Sequence, residues 1–311
     1  MLNILFAGNP ALWPKYEPAL KTAFAEVGLS FELSDSCEDP AKVDYIVFSP
    51  AGPIQDFAPF VRTKAVLNLW AGVESVVGNA TLTQPLTRMV DPGLREGMVE
   101  WVTGHVLRHH LGIDTYIHGQ DGAWRNGAVP PLARDRRVGI LGLGALGAAA
   151  GQALAALNFN VAGWSRTQKN IQGIDCYSGA EGLKNILAQA EILVLLLPLT
   201  PETTDILNAE TLAMLPRGAV VINPGRGAMI DDVALLAALD SGQISHATLD
   251  VFRVEPLPAD DPFWAHPKVT VTPHIAAETR VASSARMVAE NIQRAEAGEP
   301  LMNLVDRTAG Y

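Results

Sequence analysis

Val138-Gly139-Ile140-Leu141-Gly142-Leu143-Gly144-Ala145-Leu146-Gly147 is the stretch that decides the fold. An apolar strand feeds a G-x-G-x-x-G turn, and an alanine-rich helical pattern follows at once. A bare G-x-G-x-x-G is a weak signal, but strand, turn and helix in that order make it a dinucleotide fingerprint. Each glycine meets a separate demand. Gly142 permits the tight turn, Gly144 lets the backbone approach a pyrophosphate, and Gly147 lets helix and strand pack closely. The helix start at Ala145 and Leu146 then offers N–H groups and the positive end of its dipole to phosphates. The competing reading is a glycine-rich turn that binds nothing, and it leaves the order of the three segments unexplained.

Working outward, strands recur after the fingerprint at 160–164, 192–197, 219–223, 247–250 and 269–272, with helical patterns between most of them. That alternation predicts a doubly wound parallel sheet. Before the fingerprint, residues 2–7, 45–48 and 66–70 read as strands, 18–27 as a helix and 97–111 as a long helix. This part reads as a small βα domain whose ligands would lie at the strand carboxyl ends. After Pro273 one last helix is expected at about 278–297. Trp101, Trp124, Trp164 and Trp264 read as packing anchors, and Cys176 as an inert loop residue.

The second strand of the fingerprint unit ends in Ser165-Arg166-Thr167-Gln168-Lys169. NAD-binding fingerprints place a carboxylate here for the ribose hydroxyls. This chain has none at that point. Its hydroxyls, guanidinium and ammonium suit a 2′-phosphate, so NADP(H) is the expected cofactor, with NAD(H) possible.

The bulk numbers exclude other classes. The 311 residues are 48% hydrophobic and 18% charged, enough for two domains with substantial cores. A formal net charge of -10 disfavours nucleic acid and anionic membranes as partners. The only cysteines are Cys37 and Cys176, so no disulfide framework is expected. The opening residues carry no basic leader or cleavage site, and a cytoplasmic protein is expected. His105 and His109 stand four apart on a helix, but no third ligand accompanies them, and no metal is expected.

Three strand ends each deliver one polar group: Arg226 after Asn223-Pro224-Gly225, Glu255 within the segment from Asp250 to Pro258, and His274 after Thr272-Pro273. Reduction of a 2-oxo acid needs such a set. A cation clamps the carboxylate and polarises the carbonyl, and an acid protonates the new alkoxide. Histidine with a carboxylate neighbour suits that second task.

With the glycine turn and these three strand ends in order, the chain resembles the D-isomer-specific 2-hydroxyacid dehydrogenases over essentially its whole length. Residues 164–169, 197–203, 235–242, 250–258 and the tail 305–311 point within it to the branch that reduces glyoxylate and hydroxypyruvate to glycolate and D-glycerate. The resemblance implies Arg226 as carboxylate and carbonyl binder, His274 as acid/base and Glu255 as its orienting partner. It implies a cofactor surface that adds Leu197, Pro198, Thr203, Asn223, Pro224, Asp250, His274 and Ala276 to the glycine turn and to Ser165, Arg166, Thr167 and Lys169. Asp250 would hold the nicotinamide carboxamide. Backbone N–H groups of Ala71, Gly72 and Val73 would hold the substrate carboxylate. Phe48 would face the substrate pocket at a position where close relatives have Trp. The implied fold is α/β, a Rossmann-type doubly wound sheet (96–277) inserted in a smaller flavodoxin-like substrate domain (1–95 plus 278–311). The long helix and the arm after it would form a homodimer interface. Two alternatives stand beside this reading: a related dehydrogenase for a bulkier 2-oxo acid, and a non-catalytic NAD(P)-sensing protein of the same fold.

Overall fold

A computed structural model describes residues 1–127 and 129–310, so Tyr311, the last residue of the tail motif, lies outside the described residues. The chain divides into two compact units. Met1–Leu94 and the chain from Glu278 onward make one, and Arg95–Ala277 the other. Among the described residues no helix is long and apolar enough to cross a membrane.

The first unit is built on five parallel strands: β1 (Leu2–Ala7), β2 (Phe31–Ser34), β3 (Tyr45–Phe48), β4 (Ala65–Asn68) and β5 (Leu86–Thr87). Their order is β2-β1-β3-β4-β5, the flavodoxin-like arrangement. Both faces are buried, and side chains alternate between them. Ile4, Phe6, Tyr45, Val47 and Leu67 share one core with Leu20 and Phe24 of the helix Trp13–Glu26 and with Val288 and Ile292 of the helix Val281–Glu296. Leu5, Ala7, Ile46, Phe48 and Val66 point the other way, onto Phe57 and Leu82. The tail closes the free edge. Val305 N–H donates to Leu86 O at 2.8 Å, Arg88 N–H donates to Asn303 O at 3.0 Å, and Leu304 bridges Thr87 antiparallel.

Element limits differ from the sequence reading for identifiable reasons. The first helix begins at Trp13 rather than 18, and Pro18 sits inside it. Its buried face of Tyr16, Leu20, Ala23 and Phe24 outweighs the one backbone bond that Pro18 lacks. The long helix begins at Pro92 rather than 97, because the buried Asp91 carboxylate accepts the N–H groups of Gly93 and Leu94. β4 stops at Asn68, whose side-chain amide donates to Trp70 O and Gly72 O and turns the chain. The last helix spans Val281–Glu296.

The second unit holds seven parallel strands: β6 (Arg137–Leu141), β7 (Asn160–Ser165), β8 (Asp175–Ser178), β9 (Ile192–Leu195), β10 (Ala219–Asn223), β11 (Ile244–Leu249) and β12 (Val269–Val271). Their order, β12-β11-β10-β9-β6-β7-β8, is that of a Rossmann-type doubly wound sheet, with its switch point between β6 and β9. β9 ends sooner than read, at Leu195, because its neighbour β6 gives way after Leu141 to the glycine turn, which runs against Leu196 and Leu197. Cys176 lies on strand β8, not in a loop. Trp101 and Trp164 are half-buried against the two cores of this unit. Trp124 and Trp264 are not packing anchors: they are 95% and 50% exposed.

Candidate active site

The β6 turn shows why its glycines are glycines. Gly142 has φ +110°, and a Cβ there would meet Leu196 O at 2.4 Å and Leu197 N at 2.8 Å. The turn therefore runs directly against the end of β9, at the switch point. A Cβ on Gly147 would meet Gly142 O at 1.8 Å, so helix Ala145–Ala156 touches the turn. Gly144 faces open space, with no atom within 4 Å of a Cβ built there. It caps the helix without a side-chain partner, which leaves the first-turn N–H groups for an outside acceptor. This is the donor set a pyrophosphate needs.

β7 ends in the loop read as the cofactor selector. Ser165 Oγ donates to Thr167 O at 2.8 Å and closes the loop. Gln168 donates to Cys176 O at 2.9 Å and accepts from Ser178 Oγ at 2.9 Å, which ties the loop to β8. Arg166, Thr167 and Lys169 are exposed beyond it, and residues 165–170 include no carboxylate. Glu202 is held below the usual carboxylate range, first by its bond with Thr200 and further by the Arg166 charge. Thr203 Oγ1 donates to Pro198 O at 2.7 Å and accepts from Thr200 N–H at 2.8 Å, so it shapes the loop after β9.

Asn223, buried at the end of β10, folds the next turn with both ends of its amide. Its Oδ1 accepts Gly225 N–H at 3.0 Å and its Nδ2 donates to Arg226 O at 3.0 Å. Arg226 is half-buried, and its Nη1 donates to Gly225 O at 2.7 Å. A Cβ on Gly227 would meet Phe252 C at 1.9 Å, so this turn packs against the segment that follows β11. That segment carries Glu255. Its Oε1 accepts Phe252 N–H at 2.9 Å, and its Oε2 lies 2.7 Å from His274 Nδ1. The histidine side chain is 53% exposed and the glutamate 34%. A carboxylate on Nδ1 assigns the proton of the neutral ring to that nitrogen and leaves Nε2 for exchange.

His274 stands at φ +55°, a left-handed conformation. Its N–H donates to Asp250 O at 2.8 Å. The fully buried Asp250 carboxylate accepts from Thr272 Oγ1 at 2.6 Å and from the N–H groups of Ile275 and Ala276, both at 2.9 Å. Three of its roughly four lone-pair positions are thus used by the chain itself. The resemblance implied only a cofactor contact for Asp250. Arg253 also went unread. It joins Asp205 and Ile230 O through Nη2 and approaches Asp232 through Nε at 3.4 Å, holding three loops together. The nearby signal was an arginine two residues before Glu255.

In the first unit, the loop after β4 has the carbonyls of Trp70, Gly72 and Val73 occupied and its donors open. Asn68 takes Trp70 O and Gly72 O, Met89 N–H takes Trp70 O at 3.0 Å, and Val76 and Val77 take Val73 O. Among the described residues, the N–H groups of Ala71, Gly72 and Val73 have no acceptor in the chain. Successive open N–H groups form an anion-binding concavity. Phe48 packs within the first unit. It is 2% exposed, in a core, with its ring edge-on to Phe57 at 5.4 Å. Strand alternation puts it on the same face as Ile46, and Phe57 closes that face.

Residues 103–276 match the family model described as D-isomer specific 2-hydroxyacid dehydrogenase, NAD binding domain. The chain is 41% identical over 283 residues to glyoxylate/hydroxypyruvate reductase A of Serratia proteamaculans, covering 88% of this chain and 89% of that protein. It is also similar to a D-isomer specific 2-hydroxyacid dehydrogenase of Xanthobacter autotrophicus solved with NADPH and MES (44% identity, TM-score 0.92, 99% of each chain). A third likeness is to an NADPH-dependent glyoxylate/hydroxypyruvate reductase of Sinorhizobium meliloti solved with NADP and sulfate (36% identity, TM-score 0.89, 100% of each chain).

Proposed function

The chain belongs to the D-isomer specific 2-hydroxyacid dehydrogenases, and we propose that it reduces small 2-oxo acids, glyoxylate and hydroxypyruvate, to 2-hydroxy acids with NADPH. The observation that carries this reading is the His274–Glu255 pair at 2.7 Å, on the turns after β11 and β12 of a sheet whose switch point bears a dinucleotide turn. The reading agrees with the names of the relatives from Serratia and Sinorhizobium.

In this reading the second unit binds the cofactor. The glycine turn and the first N–H groups of helix Ala145–Ala156 hold the pyrophosphate, while Arg166 and Lys169 hold the 2′-phosphate. Bound NADPH supplies the hydride. Arg226 binds the substrate carboxylate and draws electron density from the carbonyl. Protonated His274 gives the proton on Nε2 to the oxygen of the reduced carbonyl and is left neutral with its remaining proton on Nδ1, where Glu255 fixes the ring. The open N–H groups of Ala71–Val73 suit a carboxylate.

A homodimer is part of the proposal. The arm after the long helix exposes Tyr116, Ile117, Trp124, Val129 and Leu132, apolar surface of the kind that association covers. We assign the enzyme to the cytoplasm, in keeping with its two unpaired cysteines. The test is initial rates with NADPH and with NADH over glyoxylate, hydroxypyruvate, pyruvate and phenylpyruvate. NADPH with glyoxylate or hydroxypyruvate should be fastest. Cofactor binding without turnover of any of the four would replace this reading with that of a sensor.

A further inference from the structure

His274 holds a backbone conformation that a residue with a Cβ adopts only when its surroundings impose it. The imposing group is a buried carboxylate. Asp250 reaches across from the end of β11 and takes three donors on either side of His274: the Thr272 hydroxyl before it, and the Ile275 and Ala276 N–H groups after it. The His274 N–H itself is bonded to Asp250 O. Of these donors only the Thr272 hydroxyl belongs to a side chain. It is also the shortest contact, at 2.6 Å, and it lands on the same carboxylate oxygen, Oδ1, that holds Ile275.

We propose that Thr272 is a positioning residue for the reduction: its hydroxyl fixes the Asp250 carboxylate that locks the turn presenting His274. The proposal rests on the reading of His274 as proton donor. The physical logic is that of a buried carboxylate whose orientation is set by the donors it accepts from. With the hydroxyl in place, Oδ1 is drawn toward Thr272 and Oδ2 is left facing Ala276 N–H. Without it, the carboxylate keeps only the two amide donors, one on each oxygen, so its orientation loosens, those two bonds weaken and the His274 ring moves relative to Glu255. A displacement on the order of an ångström is enough to cost a proton transfer much of its rate.

The test uses Thr272→Val, which keeps shape and removes the hydroxyl, and Thr272→Ser, which restores it. Thr272→Val should lower kcat for glyoxylate by at least about tenfold, with KM for glyoxylate within about twofold of wild type. Thr272→Ser should recover kcat to within about threefold. A readout free of turnover accompanies these: amide hydrogen exchange at Ile275 and Ala276 in the cofactor-free protein. Exchange should quicken at least about tenfold in the valine variant and stay near wild type in the serine variant. Wild-type kcat and exchange in Thr272→Val would overturn the proposal, and so would equal loss in the serine and valine variants. If wild type reduces no 2-oxo acid, the functional reading fails while the exchange measurement still decides whether the hydroxyl locks the turn.

Discussion

His109 and His246 face each other with ring centroids 4.9 Å apart, and each ring spends its Nε2 on a threonine hydroxyl at 2.8 Å, Thr248 for the first and Thr270 for the second. Burial, then the neighbouring ring and Arg108, push His109 down to about 3. Burial and Arg108 push His246 down to about 4. Both are therefore neutral in the folded protein at pH 7. The unfolded chain takes up these protons near the ordinary histidine value of about 6.5. Stability should thus be full above about pH 6.5 and fall as pH drops toward 4. Each ring contributes at most about 1.4 kcal/mol per pH unit, and less where water reaches it. Melting temperature measured from pH 7 to pH 4 should show this slope, and His246→Asn should flatten part of it. An unchanged slope in the variant would assign acid lability elsewhere.

Arg166 should decide between the two nicotinamide cofactors. Its guanidinium is exposed on the loop after β7, with no carboxylate in residues 165–170. Charge-assisted bonds to a phosphate are each worth about 1.5–3 kcal/mol, so a preference for NADPH of roughly ten- to hundredfold is expected. Arg166→Asp should abolish or reverse it. Steady-state kcat/KM with each cofactor is the measurement, and equal efficiencies in wild type would contradict the assignment.

Arg226 and His274 should fail in different ways. Arg226→Ala should lose at least about 100-fold in kcat/KM toward 2-oxo acids while NADPH affinity, read by fluorescence titration, hardly moves. His274→Gln should lose about 10²–10⁴-fold in kcat, the range for a removed general acid. Near-normal glyoxylate turnover by the Arg226 variant would move the carboxylate clamp to another residue.

Phe48 makes a stability prediction. Its ring is buried against Phe57, so Phe48→Trp should overpack the core and cost about 1–3 kcal/mol. A lower melting temperature is expected, with glyoxylate and phenylpyruvate activities reduced in parallel. A variant of wild-type stability that rejects only phenylpyruvate would show that the ring reaches the substrate.

The parts of this fold most legible in the sequence were those where one residue type has one physical use. Gly142 reads as a positive-φ turn because no other residue adopts that backbone cheaply. β3 and β10 are legible to the residue because each is a continuous apolar run with a polar or turn residue at its end. The start of the long helix was also written, as an N-cap aspartate before proline at 91–92, and was overlooked. Short or amphipathic edge strands such as β5 and β8 carry too few residues to show a period. The double duty of Asp250 could not be read at all, since it depends on β11 and β12 lying side by side. Trp124 looked like core because composition cannot say which apolar residues an isolated chain leaves in water.

The first unit closes only when the chain returns to it. Val281–Glu296 supplies Val288 and Ile292 to a core begun by Ile4 and Phe6, and Val305 completes the edge at Leu86. During synthesis the opening strands therefore leave the ribosome with one face covered only in part, by the helix Trp13–Glu26, and they wait through the whole of Arg95–Ala277 for the helix that completes it. The seven-stranded unit needs no such return and has every strand it requires once β12 is made. The part of the protein born first is thus the part finished last, and a nonsense mutation after Ala277 would strand an N-terminal half whose own codons are intact.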